Sequence, residues 1–200
     1  MDFDAVILAG GRSSRMGRDK AWLPLDGRPL LASQLERVSS LDPGELIISG
    51  RPGVDYSAFP YRVVLDAEPD RGPLGGITTA FAATSAPQLL VLAVDLPHMT
   101  ADWLRQLLGR STSACGVVPR VEGEWQPLAA LYPRACRGIV REALRGSARV
   151  IGDFVLSAFA AGLVIPWDVP HPDRSCLHNW NRPEDLLAST GTQVGKFHPP

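Results

Sequence analysis

Four basic side chains, Arg12, Arg15, Arg18 and Lys20, share residues 10–20 of this 200-residue chain with three glycines, Gly10, Gly11 and Gly17. They lie in Ala5-Val-Ile-Leu-Ala-Gly-Gly-Arg-Ser-Ser-Arg-Met-Gly-Arg-Asp-Lys20, where an apolar run passes straight into a glycine-rich loop. Adjacent glycines let the backbone approach a ligand, successive N–H groups can cradle phosphate oxygens, and the Arg and Lys side chains bring positive charge. That combination suits a polyphosphate. The spacing is neither the G-x-x-x-x-G-K-S/T of a P-loop nor the G-x-G-x-x-G of a dinucleotide site. A glycine pair alone serves equally well for a tight turn beside a solvated basic face, so it is the density of basic residues that weighs toward a ligand.

Two carboxylates follow strand-like runs: Asp95 after Leu89-Leu-Val-Leu-Ala-Val94, and Asp66 after Val63-Val64-Leu65. A buried strand ending in Asp places that carboxylate at the same sheet edge as the glycine loop. Mg²⁺ takes oxygen ligands, commonly one or two carboxylates plus substrate phosphates, which makes Asp95 the candidate ligand; capping of the turn that follows is the competing use of this residue. Glu68 and Asp70 are expected to face water. Gly72-Pro73-Leu74-Gly75-Gly76 reads as a turn opening a helix whose first amides can meet an anion. His98, His171, His178 and His198 lack metal-ligand spacing and form no Ser-His-Asp constellation.

The elements that must position these groups are legible from periodicity. Strands are predicted at Val6-Leu8, Leu46-Ile48, Arg62-Leu65, Leu89-Val94, Gly116-Val118 and Leu163-Ile165. Helices are predicted after Pro29, where Leu31, Leu35 and Val38 share a face, and after Thr100 as N-cap, with further helices over Arg137-Leu144, Val150-Ala161 and Glu184-Ala188. Glu122-Gly123-Glu124 separates two apolar runs, which predicts an insertion or hairpin over Gly123-Pro133 forming a small antiparallel edge. The alternation predicts an α/β fold of three layers around a mostly parallel sheet, as one domain over residues 1–190 with a mobile tail at 191–200.

Composition is compatible with this and narrows the partners. Hydrophobic residues make up 45% of the chain, and 20 Lys+Arg stand against 21 Asp+Glu, so bulk charge draws neither nucleic acid nor a membrane surface. Any anionic ligand must then be met by local charge. Cys115, Cys136 and Cys176 are far apart and odd in number, which suits packing in a reducing compartment. No signal peptide and no apolar run long enough for a membrane span is visible, so a cytoplasmic location is expected.

Taken together, Leu8-Ala-Gly-Gly, Arg15-Met16-Gly17 and Asp19-Lys20 resemble the signature of the molybdenum cofactor guanylyltransferases, within the nucleotide-diphosphosugar transferase-like, Rossmann-like fold. Asp95-Leu-Pro97, Gly72-Pro-Leu-Gly-Gly76, Gln126-Pro-Leu-Ala-Ala-Leu-Tyr132 and Asn179-Trp-Asn-Arg-Pro-Glu-Asp-Leu186 are similar to further motifs of that family, so the resemblance spans nearly the whole chain. It implies that Leu8, Ala9, Gly10, Gly11, Lys20, Ser49, Asp66 and Asp95 contact the nucleotide. Asp95 would hold Mg²⁺, and Arg15 and Lys20 would engage the triphosphate. It also implies the reaction, in which the terminal phosphate of molybdopterin, with or without molybdenum, attacks the α-phosphorus of GTP and releases pyrophosphate. A phosphate nucleophile is already an anion, which fits a motif set of Gly, Arg, Lys and Asp without a catalytic histidine. Relatives that use CTP often carry Ala-Ala-Gly where this chain has Ala9-Gly10-Gly11, so the spelling favours GTP. Asn179 and Asn181 are candidate acceptor contacts. Arg182 replaces the usual Thr, which removes an N-cap hydroxyl and adds a candidate contact to the acceptor phosphate. Further partners implied are molybdenum-insertion proteins and recipient molybdoenzymes or their chaperones. The competing functions are a related transferase acting with CTP or on a sugar phosphate, and a non-catalytic nucleotide-binding partner in cofactor delivery.

Overall fold

The computed structural model describes residues 2–10, 20–66, 71–146 and 150–180. In chain order the elements are β1 (Phe3–Leu8), β2 (Pro24–Leu25), β3 (Arg28–Pro29), α1 (Leu30–Ser39), β4 (Leu46–Gly50), β5 (Arg62–Leu65), α2 (Gly72–Ala83) and β6 (Gln88–Ala93). There follow α3 (Ala101–Gly109), β7 (Gly116–Val121), β8 (Glu124–Trp125), β9 (Ala129–Pro133), α4 (Cys136–Arg145), α5 (Ile151–Ala160) and β10 (Val164–Asp168). The expected strands and helices are all present where they can be compared. The expected helix at 184–188 and the tail lie outside the described residues.

The main sheet runs β10-β7-β9-β6-β1-β4-β5, with β8 paired to β7. Its interior is buried on both sides, and the period-2 alternation of each strand divides the core into two. Ala5 and Ile7 of β1, Ile48 of β4 and Leu90 and Leu92 of β6 meet Leu31, Leu35, Trp103 and Leu104 of α1 and α3 on one face. Val6, Ile47, Leu89 and Val91 meet Ile77, Phe81, Val140 and Phe154 of α2, α4 and α5 on the other. Helices on both faces of one sheet make the three layers. Thr100 caps α3 as expected, its Oγ1 accepting from the Trp103 N–H at 3.1 Å.

Strands β4, β1 and β6 are mutually parallel, but the chain leaves β1 toward β4 and β5 and then returns by α2 to lay β6 on the far side of β1. The order therefore reverses at β1, and the crevice beyond the C-terminal ends of β1 and β6 is the place where such sheets bind ligands. Ala9-Gly10 and Val94-Asp95 leave the sheet there.

The Gly123-Pro133 region divides differently from the expectation. Glu122 and Gly123, both at positive φ, turn the short β7–β8 hairpin, which is the small antiparallel edge. β9, in contrast, is inserted inside the sheet, antiparallel to β6 over Gln88–Leu92 and adjoining β7 at Val117–Leu131. Ala129, Ala130, Leu131 and Tyr132 are all buried, so the strand has no polar face to present to water and takes an interior place. The β2–β3 hairpin, not anticipated, is turned by Asp26-Gly27 at φ 50° and 78°, the commonest two-residue turn chemistry. All three cysteines are free thiols, and burial pushes the Cys136 thiol up to about 12, as suits a packing residue.

Candidate functional site

A cleft of about 390 Å³ opens over the switch point, within the size range of small-molecule sites. Leu8, Ala9 and Gly10 line it from the end of β1, Ser49 from β4, Asp66 from the end of β5, Gly72, Pro73 and Gly76 from the start of α2, and Ala93, Val94 and Asp95 from the end of β6; Lys20 and Leu128 complete the wall. Every nucleotide-side residue expected from the sequence that is described lines this one cleft. Gly11 and Arg15, with Asn181 and Arg182, lie outside the described residues.

Backbone hydrogen bonds pin the strand ends in place. Ala9 N–H donates to Ser49 O (2.8 Å), Val94 N–H to Leu8 O (3.1 Å) and Ala93 N–H to Leu128 O (2.7 Å). Gly10 also packs tightly, since a Cβ there would stand 3.3 Å from Gly50 O, so its small size serves the β1–β4 approach as well as the open cleft. Leu128 was not foreseen, because it reaches the cleft only through the interior placement of β9.

The glycine run at the start of α2 has a geometric purpose. A Cβ on Gly76 would fall 2.7 Å from Ser49 Oγ and 2.9 Å from Leu8 Cδ2, and one on Gly75 would fall 2.9 Å from Asp66 Oδ2. The missing side chains let the first turn of the helix settle onto Ser49 and Asp66, with Pro73 fixing the helical φ at its start. Gly76→Ala is expected to push the helix start outward, costing about 1–3 kcal/mol of stability and raising the KM for the nucleotide. A denaturant melt and a nucleotide titration measure the two effects, and unchanged values in both refute this account.

Asp66 is half-buried. Burial pushes its carboxyl above the usual carboxylate range, partly opposed by a hydrogen bond with Thr79. Its Oδ1 is buried with no hydrogen-bond partner among the described residues, which is a costly arrangement for a fold to keep and a common one for a ligand site. A carboxyl raised in the folded state contributes stability that is full below its unfolded pKa and is lost as pH rises through the folded value. Asp66→Asn is therefore expected to raise Tm at neutral pH and to flatten the Tm–pH profile on the acid side while weakening nucleotide binding. Thermal melts between pH 4 and 8 check this, and a lower neutral Tm in the variant counts against it.

On the opposite wall, Lys20 Nζ lies 2.7 Å from Asp95 Oδ2, with each side chain 18% exposed. The Asp95 main chain is held from another direction, its carbonyl accepting the Trp180 N–H at 2.9 Å. Asn179, one of the two expected acceptor amides, precedes Trp180 and is exposed, but it is not among the residues that line the cleft. The Trp180 ring is 4% exposed and meets the exposed His98 edge-on, with ring centroids 6.4 Å apart. Glycine-lined strand ends, an ammonium, two carboxylates and a helix N-terminus in one cleft can bind a polyphosphate and neutralise charge on it.

Residues 5–161 match the family described as the MobA-like NTP transferase domain. A molybdenum cofactor guanylyltransferase of Pseudomonas fluorescens is 34% identical over 191 residues, covering 93% of this chain and 92% of that protein. The chain belongs to the molybdenum cofactor guanylyltransferase family. A probable molybdenum cofactor guanylyltransferase of Opitutus terrae is likewise 34% identical, over 183 residues, with 90% of this chain and 91% of that one covered. The crystal structure of molybdopterin-guanine dinucleotide biosynthesis protein A from Archaeoglobus fulgidus has the same fold, at a TM-score of 0.75 and 22% identity, covering 93% of this chain and 96% of that one. Among the described residues of this family member no helix is long and apolar enough to cross a membrane.

Proposed function

We propose that this chain transfers GMP from GTP to the terminal phosphate of molybdopterin, with or without molybdenum in place, and releases pyrophosphate. The observation that carries the reading is the convergence of Leu8-Ala9-Gly10, Ser49, Asp66, Lys20 and Asp95 on one cleft at the switch point of the sheet. The bond formed joins an acceptor phosphate oxygen to the α-phosphorus, and the bond broken is that from the α-phosphorus to the bridging oxygen of pyrophosphate. The nucleophile needs no proton removed, so the protein's work is alignment and charge neutralisation. The strand ends and the first turn of α2 seat the nucleotide, Arg15 and Lys20 take up charge on the departing pyrophosphate, and Asn179, Asn181 and Arg182 bind the acceptor. The Ala9-Gly10-Gly11 spelling supports guanine.

Asp95 fits a Mg²⁺ site. It is a carboxylate just beyond a strand end, already facing a cation, and Mg²⁺ needs only one or two carboxylates when phosphates supply the other oxygens. Asp95 would hold the ion, which would supply positive charge to offset that of the phosphates. We place the reaction in the cytoplasm, with molybdenum-insertion proteins upstream and recipient molybdoenzymes or their chaperones downstream. Incubation with Mg²⁺, each of the four NTPs and molybdopterin, followed by mass analysis, tests the reading. The expected result is pyrophosphate and a guanine dinucleotide from GTP alone. A product from CTP would reassign the base, and nucleotide binding without pyrophosphate would mark a non-catalytic partner.

A further inference from the structure

The Lys20–Asp95 contact joins the residue that ends the basic loop to the carboxylate that ends β6. We propose that Lys20 is the placeholder cation of the ligand-free site: it positions the Asp95 carboxylate until a triphosphate draws it away, so that nucleotide enters before the divalent metal. This rests on the reading of Asp95 as the Mg²⁺ ligand.

Three features support the exchange. The pair is close, at 2.7 Å, and both side chains are largely withdrawn from water, so screening by solvent is weak and a divalent ion approaching the same carboxylate meets the ammonium at short range. The cleft wall beside it includes the apolar Leu8, Ala93, Val94 and Leu128, and the other carboxylate among the described lining residues, Asp66, comes from the end of β5, a different strand from the one that delivers Asp95. Lys20 is also built to move. Its main chain is fixed in a short 3-10 turn by the buried Ala21 and by the Leu23 N–H on Lys20 O, whereas its four-carbon stem carries a compact charge that can swing from one oxygen donor to another. A triphosphate in the cleft offers that ammonium several anionic oxygens that compete with the Asp95 carboxylate. Once Lys20 has transferred to them, Asp95 and the phosphates together present the oxygen set that Mg²⁺ takes. Lys20 thus positions Asp95 in the free protein and contacts the nucleotide in the loaded one.

The test measures Mn²⁺ binding to the nucleotide-free protein by electron paramagnetic resonance. Lys20→Met is expected to bind Mn²⁺ about tenfold more tightly than the unmodified chain, a gain that loss of a merely structural lysine does not produce. Equal or weaker binding overturns the proposal. Crystal structures of the unmodified protein, free and with a non-hydrolysable GTP analogue but no metal, give a second reading that does not depend on the variant's folding. Nζ should leave Asp95 for the phosphates, and its retention on Asp95 overturns the proposal. If Lys20→Met combined with Asp95→Ala binds Mn²⁺ as tightly as Lys20→Met alone, the metal reading of Asp95 falls and this proposal with it. Nucleotide transfer itself is judged separately, by the product assay.

Discussion

Asp95→Ala is expected to reduce pyrophosphate release by about 10²–10³-fold, the usual scale for removing a charge-stabilising group from a preorganised site. The fold should survive. The Asp95 side chain lines the cleft and not the core, and the bond from Trp180 is made to its main-chain carbonyl, which the substitution leaves in place. Circular dichroism and a thermal melt would then show a native protein beside an inactive one. Substantial residual turnover in a folded Asp95→Ala protein would refute both the metal role and the charge arrangement inferred for the cleft.

The second large effect is expected at Trp180. Its ring is 4% exposed, packed in the same core as Leu96, Met99 and Leu177, so Trp180→Ala should cost about 3–5 kcal/mol and lower Tm by roughly 8–15 °C for a chain of this size. The same change is expected to loosen the segment that carries Asn179, because it removes the ring's packing in the core and against His98 and leaves the main-chain bond to Asp95 as the tie that is shown. The KM for the acceptor should rise about tenfold, equivalent to about 1.4 kcal/mol, with the KM for GTP little altered. Trp180→Phe, which keeps an aromatic ring, should recover most of the stability. A purely structural role would lower Tm without separating the two KM values, and that outcome would sever Trp180 from acceptor binding.

Most of the described cleft lining expected from the family resemblance also obeys a local rule. Leu8, Ser49, Asp66 and Asp95 each stand at or just beyond the C-terminal end of an apolar run, and in a parallel sheet those ends share one edge whatever the details of packing. Ser49, a marginal candidate by residue type, turns out to be buried under the first turn of α2. What stayed hidden depends on contacts between distant segments. The Lys20–Asp95 pair spans 75 residues, and nothing in the periodicity of either segment selects the other as its partner. The tie from Trp180 to Asp95 is a main-chain bond, which leaves no mark on side-chain identity. β9 was recognised as strand-like, but its place between β6 and β7 follows from burial on both faces, which a five-residue run does not distinguish from an edge. The β2–β3 hairpin is the contrary case, since Leu25-Asp26-Gly27-Arg28 carried a sufficient turn signal.

The insertion of β9 also bears on how the protein can be made. β6, the strand that delivers Asp95, pairs on one side with β1 and on the other only with β9. Until residue 133 has left the ribosome, one edge of Gln88–Ala93 therefore has no strand to pair with, in a segment whose six residues are all buried in the finished fold. An open, apolar edge of that kind invites pairing with another nascent chain. A fragment ending near residue 125 would hold every nucleotide-side residue named above and still lack the strand that closes β6, so the nucleotide half cannot be expected to stand as an independent module.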